Sequence, residues 1–353
     1  MNSKITNLSL CILYFLLMIA SFILFDIKNI LMSSNAFLVI IFGTLIGLLF
    51  NFIYLKLLNK NILYNLLLSN KPLKYIILIN ILILFSYTIN LTSNFISYNL
   101  LENVPIFIIS FTLIILISLI KKYNLNVILN ISNILFYLFL IMVTFIIICL
   151  IPQLDLKNIS INLTYINIFK ESLFYAIIIS YPLFLLNIVK NNAITKINKI
   201  CKQLLGTYLL ANGLIITIIF IIINVIGKNV INLYPYPHII VLKYINYFNV
   251  FERMENILSL VWLFCLIIFI IMNVYIIKKI LKFKHSNIFI YLTLYIITLI
   301  KVNYLVFIYT NIFIFIISFN LYLFKLKNYS SLSKKSSKNL SSSSSISSRS
   351  ISS

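Results

Sequence analysis

Ten apolar runs, nearly free of charge and separated by short polar segments, follow one another along this chain. They cover residues 8–25, 36–58, 73–97, 104–120 and 127–151, then 172–189, 204–226, 257–277, 288–300 and 304–324. Most approach the roughly 20 residues that a helix needs to cross a ~30 Å hydrocarbon layer. Backbone groups in lipid must bond within their own segment, so unbroken apolar runs of this length read as helices. Composition agrees: 62% of the 353 residues are apolar and only 10% are charged. A water-soluble domain of this size lacks the interior to hide that much apolar surface. The expected fold class is therefore an all-α integral membrane protein with about ten transmembrane helices. The softest part is 288–324, interrupted by Lys301, Val302 and Asn303. It is long for one span and short for two, unless Lys301 snorkels at a tight turn.

The net charge of +22 comes from 28 basic against 6 acidic residues. Sorted by loop, 21 of the basic residues fall on one side, from Lys4 through the even-numbered loops to the C-terminal tail. The other 7 share the opposite side with all six acids: Asp26, Glu102, Asp155, Glu171, Glu252 and Glu255. Such asymmetry in short loops is the positive-inside pattern, so both termini are expected in the cytoplasm. The excess charge then reflects orientation and attraction to anionic lipid, and nucleic acid is not an expected partner. The first run is long for a signal-peptide core and lacks a small-residue cleavage site, so it reads as a span. Residues 1–328 form the expected membrane domain. Residues 329–353 form a Ser-rich basic tail that cannot build a core and is expected to be disordered; it is a solvated end or a site of phosphorylation or partner binding.

Cys11, Cys149, Cys201 and Cys265 show no paired spacing, and three of them sit inside apolar runs, as small fillers would. His238 and His285 read as isolated loop or helix-end residues. No metal-protease, Walker A or nucleophile-elbow pattern occurs, and five glycines are few for a phosphate-cradling loop. No catalysis, metal or cofactor is expected. The most patterned polar residues are Ser86, Asn90 and Asn94 in the third run, spaced to share one helix face, with Tyr87 and Tyr98 alongside. Such a stripe either lines a ligand pocket or bonds neighbouring helices. No carboxylate lies deep in a span, which argues against a proton-coupled relay.

The most informative loop holds Tyr234-Pro-Tyr-Pro-His238, then 239–248, then Phe251-Glu252-Arg253-Met254-Glu255, and then Trp262 at the start of a span. A Pro-marked turn, an amphipathic surface helix, an acid–base cluster and a Trp in this order resemble the spore germination permease family, the B subunits of endospore germinant receptors. Leu101-Glu102-Asn103-Val104-Pro105 and Pro152-Gln-Leu-Asp155 are similar to that family's loop into the fourth span and exit from the fifth. The resemblance covers nearly the whole chain in length and span pattern, and its most specific part is Glu252 to Trp262.

That family is related to amino-acid/polyamine permeases. The resemblance implies a 5+5 inverted repeat, about 8–151 and 172–324, with the first and sixth spans broken near the midplane to bind a small polar ligand. In this chain the positions are Ala20 and Ser21 in the first span and Ser180, Tyr181 and Pro182 in the sixth, joined by Tyr87, Asn90 and Asn94. Pro182 removes a backbone donor and either breaks or merely kinks its span. The first span departs from the family, having neither Gly nor Pro at 18–22. Glu252, Arg253, Glu255 and Trp262 are expected to brace the external helix or contact partner subunits; the alternative is a helix-start charge cluster of little net value. The implied function is a nutrient-sensing subunit in the spore inner membrane, binding an amino acid or similar germinant. Its implied partners are a larger A-type membrane subunit and a C-type lipoprotein. An amino-acid permease that transports its substrate, or a scaffold copy that binds nothing, are the alternatives.

Overall fold

The computed structural model describes residues 6–24, 31, 35–59, 70–101, 103–118, 124–155, 165–189, 197–227, 231, 233–234, 236–245, 254–281, 288–300 and 302–323. Among them the chain is all-helical. In chain order the helices are α1 (Asn7–Leu24), α2 (Ala36–Asn59), α3 (Lys71–Asn99), α4 (Ile106–Ser118) and α5 (Leu125–Leu150). They continue as α6 (Tyr165–Val189), α7 (Ile197–Ile226), α8 (Met254–Leu281), α9 (Ile288–Leu299) and α10 (Tyr304–Leu323). A seven-residue loop helix, Pro237–Lys243, lies between α7 and α8.

Eight of these helices are long and apolar enough to cross a bilayer, and the chain is a multi-pass membrane protein. Every expected span coincides with a helix. Among the described residues the shortest of these are α4, with 13, and α9, with 12. At 1.5 Å per residue each described stretch reaches about 20 Å, short of the hydrocarbon thickness. The opposite difference occurs at α6 and α7, which begin about seven residues before their apolar runs. Their added turns carry Lys170, Glu171, Lys199 and Lys202.

Local chemistry sets several ends. Pro72 sits in the first turn of α3, where a missing N–H costs nothing. Pro152 closes α5 through a short 3₁₀ turn, Ile151–Gln153. Gly227 takes φ 74° just past α7, and its N–H bonds the Ile223 carbonyl at 3.1 Å, a left-handed helix stop.

α1 and α6 are the most enclosed spans, each with 89% of its apolar stretch buried. The tightest contact is between α2 and α6. Gly43 and Gly47, four residues apart, let the two backbones approach, as small residues do in membrane helix pairs. A Cβ on Gly43 would sit 2.6 Å from Tyr175 Cδ1 and 3.0 Å from the Ser172 carbonyl. A Cβ on Gly47 would meet the Tyr208 hydroxyl.

Several polar side chains inside this bundle bond across helices. Tyr14 donates to Asn51 Oδ1 at 3.0 Å, and Asn51 Nδ2 donates to the Gly47 carbonyl at 2.8 Å and to Ser180 Oγ at 3.2 Å. Tyr175 donates to Asn212 Oδ1 at 2.8 Å, and Tyr208 to the Thr44 carbonyl at 2.9 Å. Cys11, Cys149 and Cys265 are buried free thiols, and Cys201 is half-buried.

Candidate ligand cleft

The cleft follows from the shortness of α9 and the turn after it. Near the last turn of α8, Lys278 donates to the Tyr291 hydroxyl in α9 at 2.7 Å. α9 then climbs beside α3 and stops at Leu299, with its end at Ser86 and Asn90. α10 returns along α3 and α2. Tyr87 of α3 stacks on Phe307 at 4.4 Å, and Lys56 in the last turn of α2 donates to the Tyr322 hydroxyl at 3.1 Å. The two helices therefore form a hairpin whose turn reaches only the middle of α3.

A helix that ends among other helices leaves carbonyls that must be satisfied. Ser86 Oγ lies 3.1 Å from both the Ile297 and Ile300 carbonyls, and Asn90 Nδ2 lies 3.4 Å from the Ile300 carbonyl. The stripe on α3 thus has a double task. Its lower part caps α9. Its upper part, beyond the end of the hairpin, stays uncovered.

That uncovered part lines a surface cavity of about 660 Å³. Tyr87, Asn90, Leu91 and Asn94 form one wall, and Ile106, Phe107 and Ser110 of α4 form another. Thr298, Leu299 and Val302 make the floor, and Tyr236 reaches in from just before the loop helix. The volume suits a small molecule of ordinary ligand size. Amides and hydroxyls from four segments converge there on an otherwise apolar surface, the usual make-up of a small-molecule pocket.

Of the residues expected to face a ligand, Tyr87, Asn90 and Asn94 come together in this cleft. Ala20, Ser21, Ser180, Tyr181 and Pro182 lie elsewhere. Ala20 and Ser21 are buried in an uninterrupted α1, where Ser21 donates to the Leu17 carbonyl at 2.9 Å. The expected break in the sixth span is corrected: α6 runs unbroken through Pro182, and Ser180 and Tyr181 bond to neighbouring helices. Ser180 donates to the Gly47 carbonyl at 3.4 Å, and Tyr181 to Asn80 Oδ1 at 2.7 Å. Close packing on α2 holds this stretch helical despite the missing proline N–H.

Two further readings need correction. The helix after Tyr236 is not an amphipathic surface helix, because Pro237 through Leu242 are all buried. His238 is a helix-end residue, at the start of Pro237–Lys243, but it is not isolated. It is enclosed by rings, stacked on Phe95 at 6.4 Å and edge-on to Trp262 at 5.5 Å. Trp262 is buried on α8 in this contact, facing the bundle. Glu252 and Arg253, and the side chain of Glu255, lie outside the described residues, as does His285. Among the described residues no group of His, Cys, Asp and Glu is placed to hold a metal ion. Sequence reasoning missed Tyr236, Ser110 and Thr298 as cleft residues. The Tyr-Pro-His segment was visible, but only the fold brings it over α3.

No family model matches this chain, and no curated protein matches it either.

Proposed function

We propose that this chain is the small-molecule-sensing membrane subunit of a spore germinant receptor, of the spore germination permease kind. Its ligand site is the cleft between α3, α4 and the α9–α10 turn. The observation that carries this reading is the cleft itself, built on Tyr87, Asn90 and Asn94 and open to the surface. The ligand is a nutrient of amino-acid size. The partners are an A-type membrane subunit and a C-type lipoprotein in the spore inner membrane, with both termini of this chain cytoplasmic.

A permease-like 5+5 inverted repeat fits the helix pattern. Helices five apart are alike in enclosure for α1 and α6, with 89% of the apolar stretch buried in each, and for α5 and α10, with 22% and 28%; α2 and α7 differ more, at 39% and 50%, and α3 and α8 most, at 56% and 78%. The remaining pair, α4 and α9, are the two short helices. Pairs that a two-fold axis would map onto themselves touch each other: α1 with α6, α2 with α7, α3 with α8, α4 with α9. Exchanged pairs recur as well. α1 meets α7 as α2 meets α6, and α1 meets α8 as α3 meets α6 through Asn80 and Tyr181.

The test is binding of a radiolabelled amino-acid mixture to spore membranes containing the full receptor. Binding is expected to fall at least about tenfold on Asn94→Leu, since an unpaired polar group on a ligand costs of this order. Unchanged germination of a deletion strain with every nutrient would overturn the reading. Uptake of the same amino acids into proteoliposomes holding this chain alone would instead establish a transporter.

A further inference from the structure

Beside the cleft lies a second cluster that ligand binding does not use. His238 is 6% exposed and sits at the start of the loop helix. Phe95 of α3 stacks parallel to its ring, 10° between planes, while Trp262 of α8 and Tyr236 stand edge-on at 80° and 82°. Neither ring nitrogen of His238 has a partner among the described residues, nor does Nε1 of Trp262. The space next to them is about 30 Å³, walled by Val143, Leu150 and Ile222 among other apolar residues of α5 and α7. That is room for about one water molecule.

A neutral imidazole can occupy such a place, but an imidazolium has two N–H donors and a charge to solvate. The facing rings attract a cation, yet less than water does. Burial alone holds the His238 pKa down to about 4. The titratable groups on the described elements around it include Tyr98 of α3, Cys149 of α5, Cys265 of α8, Tyr236, Lys243 and Tyr244 of the loop, and Asp155 just past α5, whose N–H bonds the Asn224 carbonyl of α7. None of these groups is within hydrogen-bond reach of either ring nitrogen of His238, so no described residue is paired with a charge there. Glu252, Arg253 and Glu255, ahead of and within the first turn of α8, lie outside the described side chains.

Tyr236 connects this cluster to the cleft. It lines the cleft, and it also touches His238, Phe95 and Tyr98. It is two residues from His238 on the same backbone. We propose that His238 is a proton-operated latch on the cleft: neutral, it seats the loop helix and holds Tyr236 over the cavity; protonated, it leaves the aromatic box, carries Tyr236 away and opens the cleft.

The sign follows from linkage. Above the ordinary histidine pKa of about 6.5 both the seated and the released forms are neutral, and the latch holds fully. As pH falls from there toward about 4, the released form takes up a proton that the seated form refuses, and release grows. The inference rests on the cleft being a ligand site for its biological consequence, but the latch itself needs no ligand.

Trp262, the only tryptophan of the chain, is a built-in reporter on this contact. Its emission should be followed in full-length protein in lipid nanodiscs while pH is lowered from 8. The expected result is quenching, with acrylamide access rising about twofold, at a midpoint between the two pKa values. His238→Phe and His238→Gln should both abolish it. For the cleft, Asn94→Cys on a Cys201→Ser background gives one accessible thiol, the other three cysteines being buried. Its maleimide labelling rate, divided by the rate with His238→Phe at the same pH, should rise about threefold through the window. A flat tryptophan signal in the native sequence, or the same titration in both His238 variants, would overturn the latch. So would a labelling ratio fixed at one while the tryptophan titrates. Neither readout depends on a nutrient, so failure of the sensor reading leaves this test intact.

Discussion

Gly43 and Gly47 look alike in sequence but are not equivalent in the packed bundle. Gly43 faces a ring carbon and a backbone carbonyl, whereas Gly47 faces the hydroxyl tip of Tyr208. The Tyr208 ring is fully buried and its hydroxyl is held by the Thr44 carbonyl, so neither site can yield freely. Gly43→Ala and Gly47→Ala should therefore each cost about 1–3 kcal/mol, the second also disturbing the Tyr208–Thr44 bond, measured by reversible unfolding in mixed micelles. Gly206 and Gly213 have nothing within 4 Å of an added Cβ. Alanine there should stabilise by about 0.5–1 kcal/mol, because it removes glycine's excess freedom in the unfolded chain. Equal effects at all four sites would contradict the α2–α6 contact. At this scale the sequence exposed the residue types and their spacing. It did not expose their partners, since Tyr175 and Tyr208 lie more than a hundred residues from the glycines they cover.

At the scale of elements, the place of each of the ten helices was legible, most ends to within about three residues, because hydrophobic run length is set by the bilayer and not by neighbours; the polar first turns of α6 and α7 were not. The α9–α10 hairpin was not. Its turn is tolerable only because Ser86 and Asn90, two hundred residues earlier, meet the terminal carbonyls of α9. Ser86→Ala should uncap that end and cost about 1–2 kcal/mol, with faster hydrogen exchange at 297–303 and little change in α1. Unchanged exchange there would mean the turn is held by something else. The same comparison explains Pro182. A proline in an apolar run signals a weak point, but whether the helix opens depends on how tightly the run is clasped, and α2 clasps it closely.

For the whole molecule, the charge asymmetry and the hairpin converge on one expectation. α10 ends where α2 ends, at Lys56 and Tyr322, and α9 starts where α8 ends, at Lys278 and Tyr291. If the hairpin begins and ends on the same face, the basic tail is expected on the side to which the charge pattern assigns 21 of the 28 basic residues. A reporter fused after Ser353 should be active only in the cytoplasm, and activity outside would overturn the orientation. The pairing of helices five apart makes a second demand on the whole chain. Coexpressed halves, 1–155 and 156–353, should reassemble, because each contributes one member of every self-paired contact; halves that never associate would count against the repeat.

By itself the sequence determined the solvent, the helices and their alternating charge, since each depends on local hydrophobicity and on charges a few residues away. Only the tertiary structure decided where a cavity would be. It left the upper stripe of α3 bare by ending α9 early, filled the expected midplane site with hydrogen-bonded side chains, and drew Tyr236 and His238 inward from a loop. Those outcomes depend on which distant surfaces meet, and a cleft is the space that such meetings leave unfilled.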